Sequence, residues 1–340
     1  MRRKTCILCL FSFYIIIANA QQITVLTSRQ SISIRGLSVV NDKVIWASGS
    51  NGTVARSIDS GKTWQWMQVP EFEKADFRDI EAFDAETAII MAIAEPAYIL
   101  KTHDGGNNWQ KVFIDERKGM FLDAMEFWNE RSGIVIGDPV NGKIFVARTF
   151  DGGDSWQALP ENNLPVGETG EAMFASSGTN IRAISLSEAA FVTGGTKARF
   201  FLREKKIDLP LMQGMETTGA NSLAVYNNKK RKPAKHMVAV GGDFRADTVA
   251  VHNCAVTEDG GLTWKNPQTP PHGYRSCVEY ISDKKLITCG TSGVDISGDG
   301  GMNWQLISRE SFHVCRKAKK GKNVFLAGKD GRIAKLVFDM

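Results

Sequence analysis

Short apolar stretches alternate with polar turns rich in glycine and aspartate along nearly the whole chain. No extended amphipathic helix or linker interrupts the series, which predicts strands throughout. Aligned on the turns, seven strands are predicted to be the innermost strands of successive sheets: Ser33–Val40, Phe77–Phe83, Phe121–Trp128, Ile181–Leu186, Ala220–Tyr226, Tyr274–Ile281 and Phe312–Lys317. The chain is therefore predicted to be all-β and built from repeats.

Five of the turns share a six-residue pattern, the Asp-box, which begins with aspartate, has glycine third and ends with tryptophan. The aspartate is expected to accept hydrogen bonds from backbone N–H groups two or three residues on. The glycine supplies a positive φ at little steric cost, and the tryptophan opens the next strand with a large ring to bury between neighbouring sheets. The boxes run from Asp59 to Trp64, Asp104 to Trp109, Asp151 to Trp156, Asp259 to Trp264 and Asp299 to Trp304.

The spacing of the boxes predicts a seven-bladed β-propeller. Successive box aspartates lie 45, 47, 108 and 40 residues apart, and the long interval leaves room for a box-less hairpin around Phe200–Ile207. Three strands follow the last box, at Ser311–Arg316, Asn323–Ala327 and Arg332–Phe338, and Ile23–Leu26 is predicted to supply their fourth partner. Pairing the chain ends closes the ring and hides its edges. Six or eight blades are the alternative counts.

The first twenty residues are typical of a signal peptide. Residues 2–4 are basic, Cys6–Ala18 is nearly all apolar, and Ala18-Asn19-Ala20 offers a small-residue cleavage site. The apolar run is short for a membrane span. We therefore expect residues 1–20 to be removed, residues 21–340 to form a single domain, and the protein to be exported to the periplasm or secreted.

Charge and cysteine content narrow the function classes. The formal net charge of +5 includes three basic residues of the leader, so the mature chain is only weakly basic and nucleic-acid binding is not indicated. Cys277 and Cys289 flank a predicted hairpin and could face each other as a disulfide; Cys315 competes as a partner, and buried free thiols, with Cys254, are the alternative. No cysteine or histidine spacing predicts a metal site, and no cofactor is expected.

Charged side chains are predicted to gather at one end of the central channel, which we call the arginine mouth. The aligned starts of the innermost strands carry Arg35, Arg78, Leu122, Arg182, Asn221, Arg275 and His313, and loops on the same face add Glu95, Asp138 and Asp243. Guanidinium groups match carboxylate or phosphate geometry, so the arginines and His313 predict an anion-binding site. The alternative is that these charges only pair with one another.

Two further features qualify this picture. The Asp-boxes lie on the face opposite the arginine mouth, which we call the box face, and they are expected to be structural. The long connection Pro160–Thr179 leads into the fourth blade on the mouth side, where it is expected to be either a lid or a plain surface loop. Function is therefore expected away from the boxes.

The hairpins between first and second strands carry a basic patch on the box face. Its members are Lys229, Lys230, Arg231 and Lys232, then Lys284 and Lys285, then Arg316, Lys317, Lys319 and Lys320. The patch predicts contact with an acidic protein, a polysaccharide or an anionic membrane surface. Solvated hairpin tips are the plain alternative.

The five boxes, together with Ile136-Gly-Asp-Pro139 and Arg148-Thr-Phe-Asp-Gly-Gly153, resemble the photosystem II stability/assembly factor family, and we expect its non-photosynthetic bacterial branch. The resemblance covers essentially the whole mature chain. It implies a propeller that acts as an assembly chaperone for a membrane protein and has no enzymatic activity. Asp-boxes also occur in sialidases, other glycosidases and sortilin-type receptors, so they specify architecture better than activity.

The leading hypothesis is an exported monomeric binding module that recognises a protein or an anionic glycan at the arginine mouth. The alternative is a glycoside hydrolase, with Tyr98 or Tyr274 as a sialidase-type nucleophile or with Asp138, Asp243 or Glu95 as acid and base. The arginine-containing motif expected near a sialidase N-terminus is absent, and no dinucleotide-binding fingerprint supports an oxidoreductase.

Overall fold

The computed structural model describes residues 21–226 and 232–338. The predicted signal peptide and Lys229, Lys230 and Arg231 of the basic patch lie outside the described residues. Over the described ranges the chain forms strands and one short 3₁₀ helix, Glu161–Asn163. The strands are β1 (Gln21–Thr27), β2 (Ile34–Val39), β3 (Ile45–Gly49), β4 (Thr53–Ser57), β5 (Gln65–Gln68), β6 (Phe77–Ala82), β7 (Ala88–Ala92), β8 (Ala97–Thr102), β9 (Gln110–Asp115), β10 (Leu122–Phe127), β11 (Gly133–Val140), β12 (Lys143–Thr149), β13 (Gln157–Ala158), β14 (Glu171–Ala172), β15 (Ile181–Ala183), β16 (Ala189–Val192), β17 (Gly194–Gly195), β18 (Arg199–Leu202), β19 (Lys205–Asp208), β20 (Thr218–Val225), β21 (Met237–Asp243), β22 (Cys254–Thr257), β23 (Cys277–Tyr280), β24 (Leu286–Gly290), β25 (Gly293–Ser297), β26 (Trp304–Ser308), β27 (Val314–Lys317), β28 (Val324–Ala327) and β29 (Ile333–Phe338).

These strands form seven antiparallel sheets, the blades of a propeller. Blades 1, 2 and 3 are β2–β5, β6–β9 and β10–β13; blade 4 is β15, β16, β18 and β19. Blade 5 is β20–β22 with β14 and β17 added at its inner edge, blade 6 is β23–β26, and blade 7 is β27–β29 with β1. The prediction of an all-β, seven-bladed propeller is confirmed, including a box-less hairpin in blade 4.

The two chain ends close the ring as predicted. Strand β1 pairs antiparallel with β29, from Gln21 opposite Phe338 to Val25 opposite Ala334. On the inner side β29 pairs with β28, so blade 7 takes its outermost strand from the N-terminus. The N-terminal strand thus completes the four strands of blade 7 and joins the two ends of the described chain.

The Asp-boxes connect third and fourth strands, and their hydrogen bonds explain the motif. In the third box, Ser155 donates both its backbone N–H and its hydroxyl to the Asp151 carboxylate, at 3.0 and 2.6 Å. This N–H lies four residues on, whereas in the fourth and fifth boxes the N–H three residues on also donates, as predicted, at 3.0 and 3.1 Å. Thr149, two residues before the box, donates to Asp151 and accepts the Gly153 N–H, each at 2.8 Å. Hydrogen bonds from the fifth box residue lower the pKa of Asp59, Asp104 and Asp259 to about 2.

Each box also packs against the preceding blade. The third-position glycines have φ between +82° and +95°, as predicted. A Cβ on Gly153 would lie 2.3 Å from Ile89 of blade 2, and one on Gly261 would lie 2.4 Å from the buried Phe200 ring of blade 4. The boxes therefore join neighbouring blades, and a side chain at the third position has no room.

Substitution of Gly261 by alanine is expected to lower the free energy of unfolding by about 2–4 kcal/mol. The new Cβ would combine a positive-φ backbone with overlap of a ring that core packing holds in place. Chemical denaturation of Gly261→Ala and Gly298→Ala measures the effect, because a Cβ at Gly298 meets nothing within 4 Å. Equal losses in the two variants would show that the box does not staple the blades.

The cysteines lie in this inter-blade core. Cys277 and Cys289 are directly opposite each other on β23 and β24, as predicted for a hairpin pair, and Cys315 lies beside them on β27 of the next blade. All four cysteines of the described residues, including Cys254, are buried free thiols. Of the two alternatives, disulfide or free thiols, the structure therefore shows free thiols.

Candidate functional site

The innermost strands share a β-bulge near their starts. In blades 1, 2, 3 and 5 the register to the second strand shifts by one residue, and the extra residues are Arg35, Arg78, Asp123 and Asn221. Counted back from the last cross-strand pair, the same position in blades 4, 6 and 7 holds Thr179, Ser276 and His313. In the four bulged blades the bulge re-aims the side chain of the extra residue. The seven equivalent positions lie at one level of the channel, at its mouth end, and we call them the mouth ring.

This ring corrects the predicted set of equivalent positions. Leu122 is replaced by Asp123, Arg182 by Thr179, and Arg275 by Ser276. Blade 4 has no Asp-box to anchor the alignment, so the predicted position there was wrong by three residues. The four arginines therefore do not share one mouth: Arg35 and Arg78 lie together there, and Arg182 and Arg275 lie elsewhere.

Arg35 and Arg78 lie close together with unequal partners. Arg78 forms an ion pair with Asp76, Nε to Oδ2 at 2.8 Å. Arg35 donates only to the Ser176 carbonyl, at 3.4 Å, and within the described residues no carboxylate lies within ion-pair distance of it. Burial and then the charge of Arg78 lower the pKa of Arg35. The mouth thus holds a partly buried guanidinium whose charge is not neutralised by a direct partner.

Two titratable neighbours of Arg35, His313 and Tyr274, are neutral at physiological pH. Burial and the Arg35 charge lower the pKa of His313 to about 4, and its Nδ1 lies 3.0 Å from the Ile34 carbonyl. Tyr274 donates to Asn221 at 2.8 Å, and burial raises its pKa to about 12. That shift is opposite to the one an activated tyrosine nucleophile needs.

Arg275 lies in a separate, fully buried ion pair. Its Nε donates to Asp295 at 2.7 Å, and both side chains are 0% exposed. One terminal nitrogen donates to the Tyr274 carbonyl and the Ser292 hydroxyl, both at 2.8 Å, and the other donates to Asp295 and to the His272 carbonyl, the latter at 3.0 Å. Arg275 therefore stabilises blade 6 and is not available to a ligand.

Arg182 belongs to an ion network at the box-face end of the channel. A second ring consists of the residues that come one position before the last cross-strand pair of each innermost strand. They are Ser38, Glu81, Glu126, Arg182, Ala224, Glu279 and Arg316. Arg182 bridges Glu126 at 3.4 Å and Glu279 at 3.2 Å. Lys319 pairs with Glu81 at 2.6 Å. In this ring the charged side chains pair with one another, which was the alternative to an anion-binding site.

The connection between blades 3 and 4 enters the channel. The Arg35 guanidinium donates to the Ser176 carbonyl and that of Arg316 donates to the Gly178 carbonyl, at 3.4 and 3.2 Å. Between them the Ser177 hydroxyl donates to the Ser276 carbonyl at 2.7 Å. Residues 174–178, near the C-terminal end of the predicted connection Pro160–Thr179, therefore form neither a lid nor a surface loop. They fill the channel between its mouth end and its box-face end, and we call them the plug.

The plug packs on a buried acid. A Cβ on Gly178 would lie 2.2 Å from the Asp79 carboxyl carbon, so only glycine permits this contact. Asp79 accepts the Met125 N–H at 2.8 Å, and burial raises its pKa to about 7. Arg316, predicted in the surface basic patch, instead points into the channel near this carboxyl.

The three candidate acids occupy different environments. Glu95 is exposed and accepts the Gly119 N–H at 2.5 Å. Asp243 is buried and accepts the Arg245 N–H at 2.9 Å. Asp138 accepts the Met173 N–H at 2.7 Å, and its acidic neighbour is Asp123, which the sequence analysis missed. The bulge of β10 brings Asp123 there, and a strand aspartate at the bulge position was the available signal.

Asp123 and Asp138 form a coupled acid pair beside Arg78. Asp123 is fully buried, and neither carboxyl oxygen accepts a hydrogen bond of ordinary geometry, although the Asp138 and Ala175 amides lie near it. Burial and then the Asp138 charge raise the pKa of Asp123 well above its usual value; burial raises that of Asp138 to about 6. Both carboxyls therefore keep their protons to a higher pH than a free aspartic acid does.

The acid pair predicts a pH-dependent difference between the protein and Asp138→Asn. The folded pair keeps protons that the unfolded chain releases near pH 4, so its contribution to stability is present at low pH and is lost as the pH rises through about 6. Unfolding free energies measured from pH 4 to pH 8 should therefore fall more steeply in the unsubstituted protein. His313 acts with the opposite sign, but it is present in both proteins. Parallel profiles would contradict the coupling.

The other described members of the basic patch differ in their contacts and in their exposure. Lys317 donates to the Ile281 carbonyl at 2.7 Å, and Lys285 lies 4.0 Å from the centre of the Phe338 ring. Lys232, Lys284 and Lys320 are exposed. Whether they contact a partner stays a prediction.

Neither a metal cluster nor a spanning helix marks the described ranges. No group of three or more histidine, cysteine or acidic side chains there could hold a metal ion. Across residues 21–226 and 232–338, no helix has the length and apolar character needed to span a membrane.

Comparisons with known proteins bear on the predicted resemblance. The photosystem II assembly lipoprotein Ycf48 of Synechococcus sp. (strain CC9902) is 26% identical over 110 residues, 32% of this chain and 32% of that protein. The chloroplastic photosystem II stability/assembly factor HCF136 of Arabidopsis thaliana is 25% identical over 119 residues, 34% of this chain and 28% of that protein. The chain is similar to photosystem II assembly factors. No protein-family model matches it.

A vacuolar protein sorting/targeting protein 10 of Pyricularia oryzae is 32% identical over 88 residues, 26% of this chain and 6% of that protein. The chain thus spans about a third or less of the length of these curated relatives.

Solved structures extend the similarity over the whole propeller. YCF48 bound to D1 peptide superimposes with a TM-score of 0.64 at 17% identity, covering 95% of this chain and 96% of that one. YCF48 from Cyanidioschyzon merolae gives a TM-score of 0.65 at 15% identity, over 92% and 98%. At these identities the comparison establishes the fold.

Proposed function

We propose that this chain is an exported, monomeric binding propeller of the non-photosynthetic branch of the assembly-factor family, and that it captures an acidic segment of a protein partner at the arginine mouth. One observation carries the proposal: Arg35 lies beside Arg78 with a single carbonyl as partner, at 3.4 Å. A buried cation without a counter-ion is costly, so an arriving carboxylate gains both a forked hydrogen bond and a charge partner.

The similar proteins support a protein as the partner. Two of them are named as photosystem II assembly factors, and one solved propeller of this shape holds a D1 peptide. Arg35, Arg78 and His313 lie together at the mouth, and the plug closes the channel below them. We infer that a ligand binds across the mouth and does not enter the channel. Such a site suits an extended segment better than a buried small molecule.

The glycoside hydrolase alternative gains little support from the geometry. Tyr274 donates to an amide and has no glutamate base among its hydrogen-bond partners, and its pKa is raised. Asp123, the acid nearest Asp138, is 0% exposed and cannot meet a sugar without rearrangement. We therefore propose binding without turnover.

Calorimetric titration of residues 21–340 with matched peptides tests the proposal. An extended acidic peptide should bind at least about tenfold more tightly than its copy with asparagine and glutamine in place of the acids, since a tenfold ratio is only about 1.4 kcal/mol. An acidic oligosaccharide of equal charge serves as the glycan probe. Equal affinity for the two peptides would contradict the proposal, and tighter binding or cleavage of the oligosaccharide would favour the alternative.

A further inference from the structure

A cavity of the described chain opens on the box face, beside Lys317, Lys319 and Lys320 of the basic patch. It has a volume of about 560 Å³ and is surrounded by first-to-second-strand hairpins of the blades. Four partly exposed apolar residues contribute to its wall: Phe83, Phe127, Val225 and Tyr280. We call it the hairpin cavity; its volume lies in the range of small-molecule sites.

The hairpin cavity is separate from the arginine mouth. Its floor is the ion network of Arg182, Glu279 and Arg316, and Arg316 also donates to the Gly178 carbonyl of the plug at 3.2 Å. Arg35 contacts the other side of the same plug. An occupant of the cavity therefore does not touch the proposed partner site.

The floor charges are already paired, whereas the rim has surplus positive charge. Glu126 and Glu279 pair with Arg182, and Glu81 pairs with Lys319. On the rim, Arg131, Lys317 and Lys320 face the single acid Glu130. Among the described residues none of these three cations forms an ion pair, and Lys317 has only a carbonyl partner.

We propose that the hairpin cavity binds a small amphipathic anion, with its apolar body against the wall and its anionic group at Lys317 and Lys320. The apolar wall would gain by excluding water from an aliphatic or aromatic body. The surplus rim cations select an anion over a cation or a neutral molecule. The volume of about 560 Å³ fits a small molecule.

Isothermal titration with ten-carbon probes of different head groups tests this proposal. Decanoate should bind residues 21–340 at least about tenfold more tightly than decyltrimethylammonium. The Lys317→Gln/Lys320→Gln double variant should weaken decanoate binding about three- to tenfold. The charge-matched control Lys205→Gln/Lys329→Gln, at exposed lysines away from the cavity, should leave it unchanged.

A second variant tests the location independently of charge. Val225→Trp would fill the cavity at its half-buried edge and should abolish decanoate binding, with circular dichroism confirming the fold. Arg35→Gln should not change decanoate binding, because Arg35 lies beyond the plug. Equal binding of the anionic and cationic probes, or unchanged decanoate binding in both the lysine variant and Val225→Trp, would overturn the proposal.

Discussion

Replacement of Arg275 by methionine is expected to lower the free energy of unfolding by about 3–5 kcal/mol. The substitution leaves Asp295 as a fully buried carboxylate with only His272 as a side-chain partner, at 2.7 Å. It also removes the guanidinium nitrogen that donates hydrogen bonds to the Tyr274 carbonyl and the Ser292 hydroxyl. Methionine keeps an unbranched apolar stem, so most of the loss reflects the missing charge.

Denaturant unfolding of Arg275→Met beside Arg117→Met gives a matched comparison. Arg117 pairs with Asp115 at 2.6 Å, but its side chain is 52% exposed, and such surface pairs contribute about 1 kcal/mol or less. The double variant Arg275→Met/Asp295→Leu should recover part of the loss, since it removes the stranded carboxylate. A loss in Arg275→Met no larger than in Arg117→Met would show that Arg275 is not a structural ion-pair partner.

Replacement of Arg35 by glutamine is expected to weaken binding of an acidic peptide by about 10- to 100-fold, which corresponds to about 1.4–2.8 kcal/mol. The guanidinium is the only cation of the arginine mouth without a carboxylate partner among the described residues. The same change should leave the free energy of unfolding unchanged or raise it, since it removes a partly buried charge near Arg78. Such separation of binding from stability distinguishes a ligand contact from a structural arginine.

Lys284→Gln is the matched control for Arg35→Gln. Lys284 is exposed on the box face, so its loss removes the same formal charge without touching the mouth. A slight weakening that disappears at higher salt is expected, because exposed charges act mainly through the screened field. Arg78→Gln should weaken peptide binding by an intermediate factor, since the Arg78 guanidinium is already paired with Asp76.

The fold was accessible from the sequence because its signals are local. Each Asp-box carries its hydrogen bonds within a few residues, as in Asp151 with Thr149 and Ser155. The box spacing then locates the blades, and the pairing of β1 with β29 follows from the missing fourth strand of blade 7. The Asp-box motif and its spacing thus predict the architecture without knowledge of contacts between residues distant in the sequence.

The candidate site was only partly accessible, because bulges and loops decide it. A one-residue bulge determines whether Leu122 or Asp123 turns toward the mouth, and apolar spacing does not reveal it. Nothing local predicts that residues 174–178 enter the channel, since those contacts reach Arg35, Ser276 and Arg316 of other blades. The hairpin cavity was not accessible from the sequence for the same reason, because its lining comes from all seven blades.

The central claim is that Arg35 and Arg78 form the anion-recognising part of the arginine mouth, and one binding measurement tests it most directly. The affinity of one acidic peptide is measured for residues 21–340, for Arg35→Gln and for Lys284→Gln at the same salt concentration, with thermal unfolding of each. We predict a loss of about 10- to 100-fold for Arg35→Gln alone, with no loss of stability. Equal affinity of Arg35→Gln and Lys284→Gln would contradict the claim.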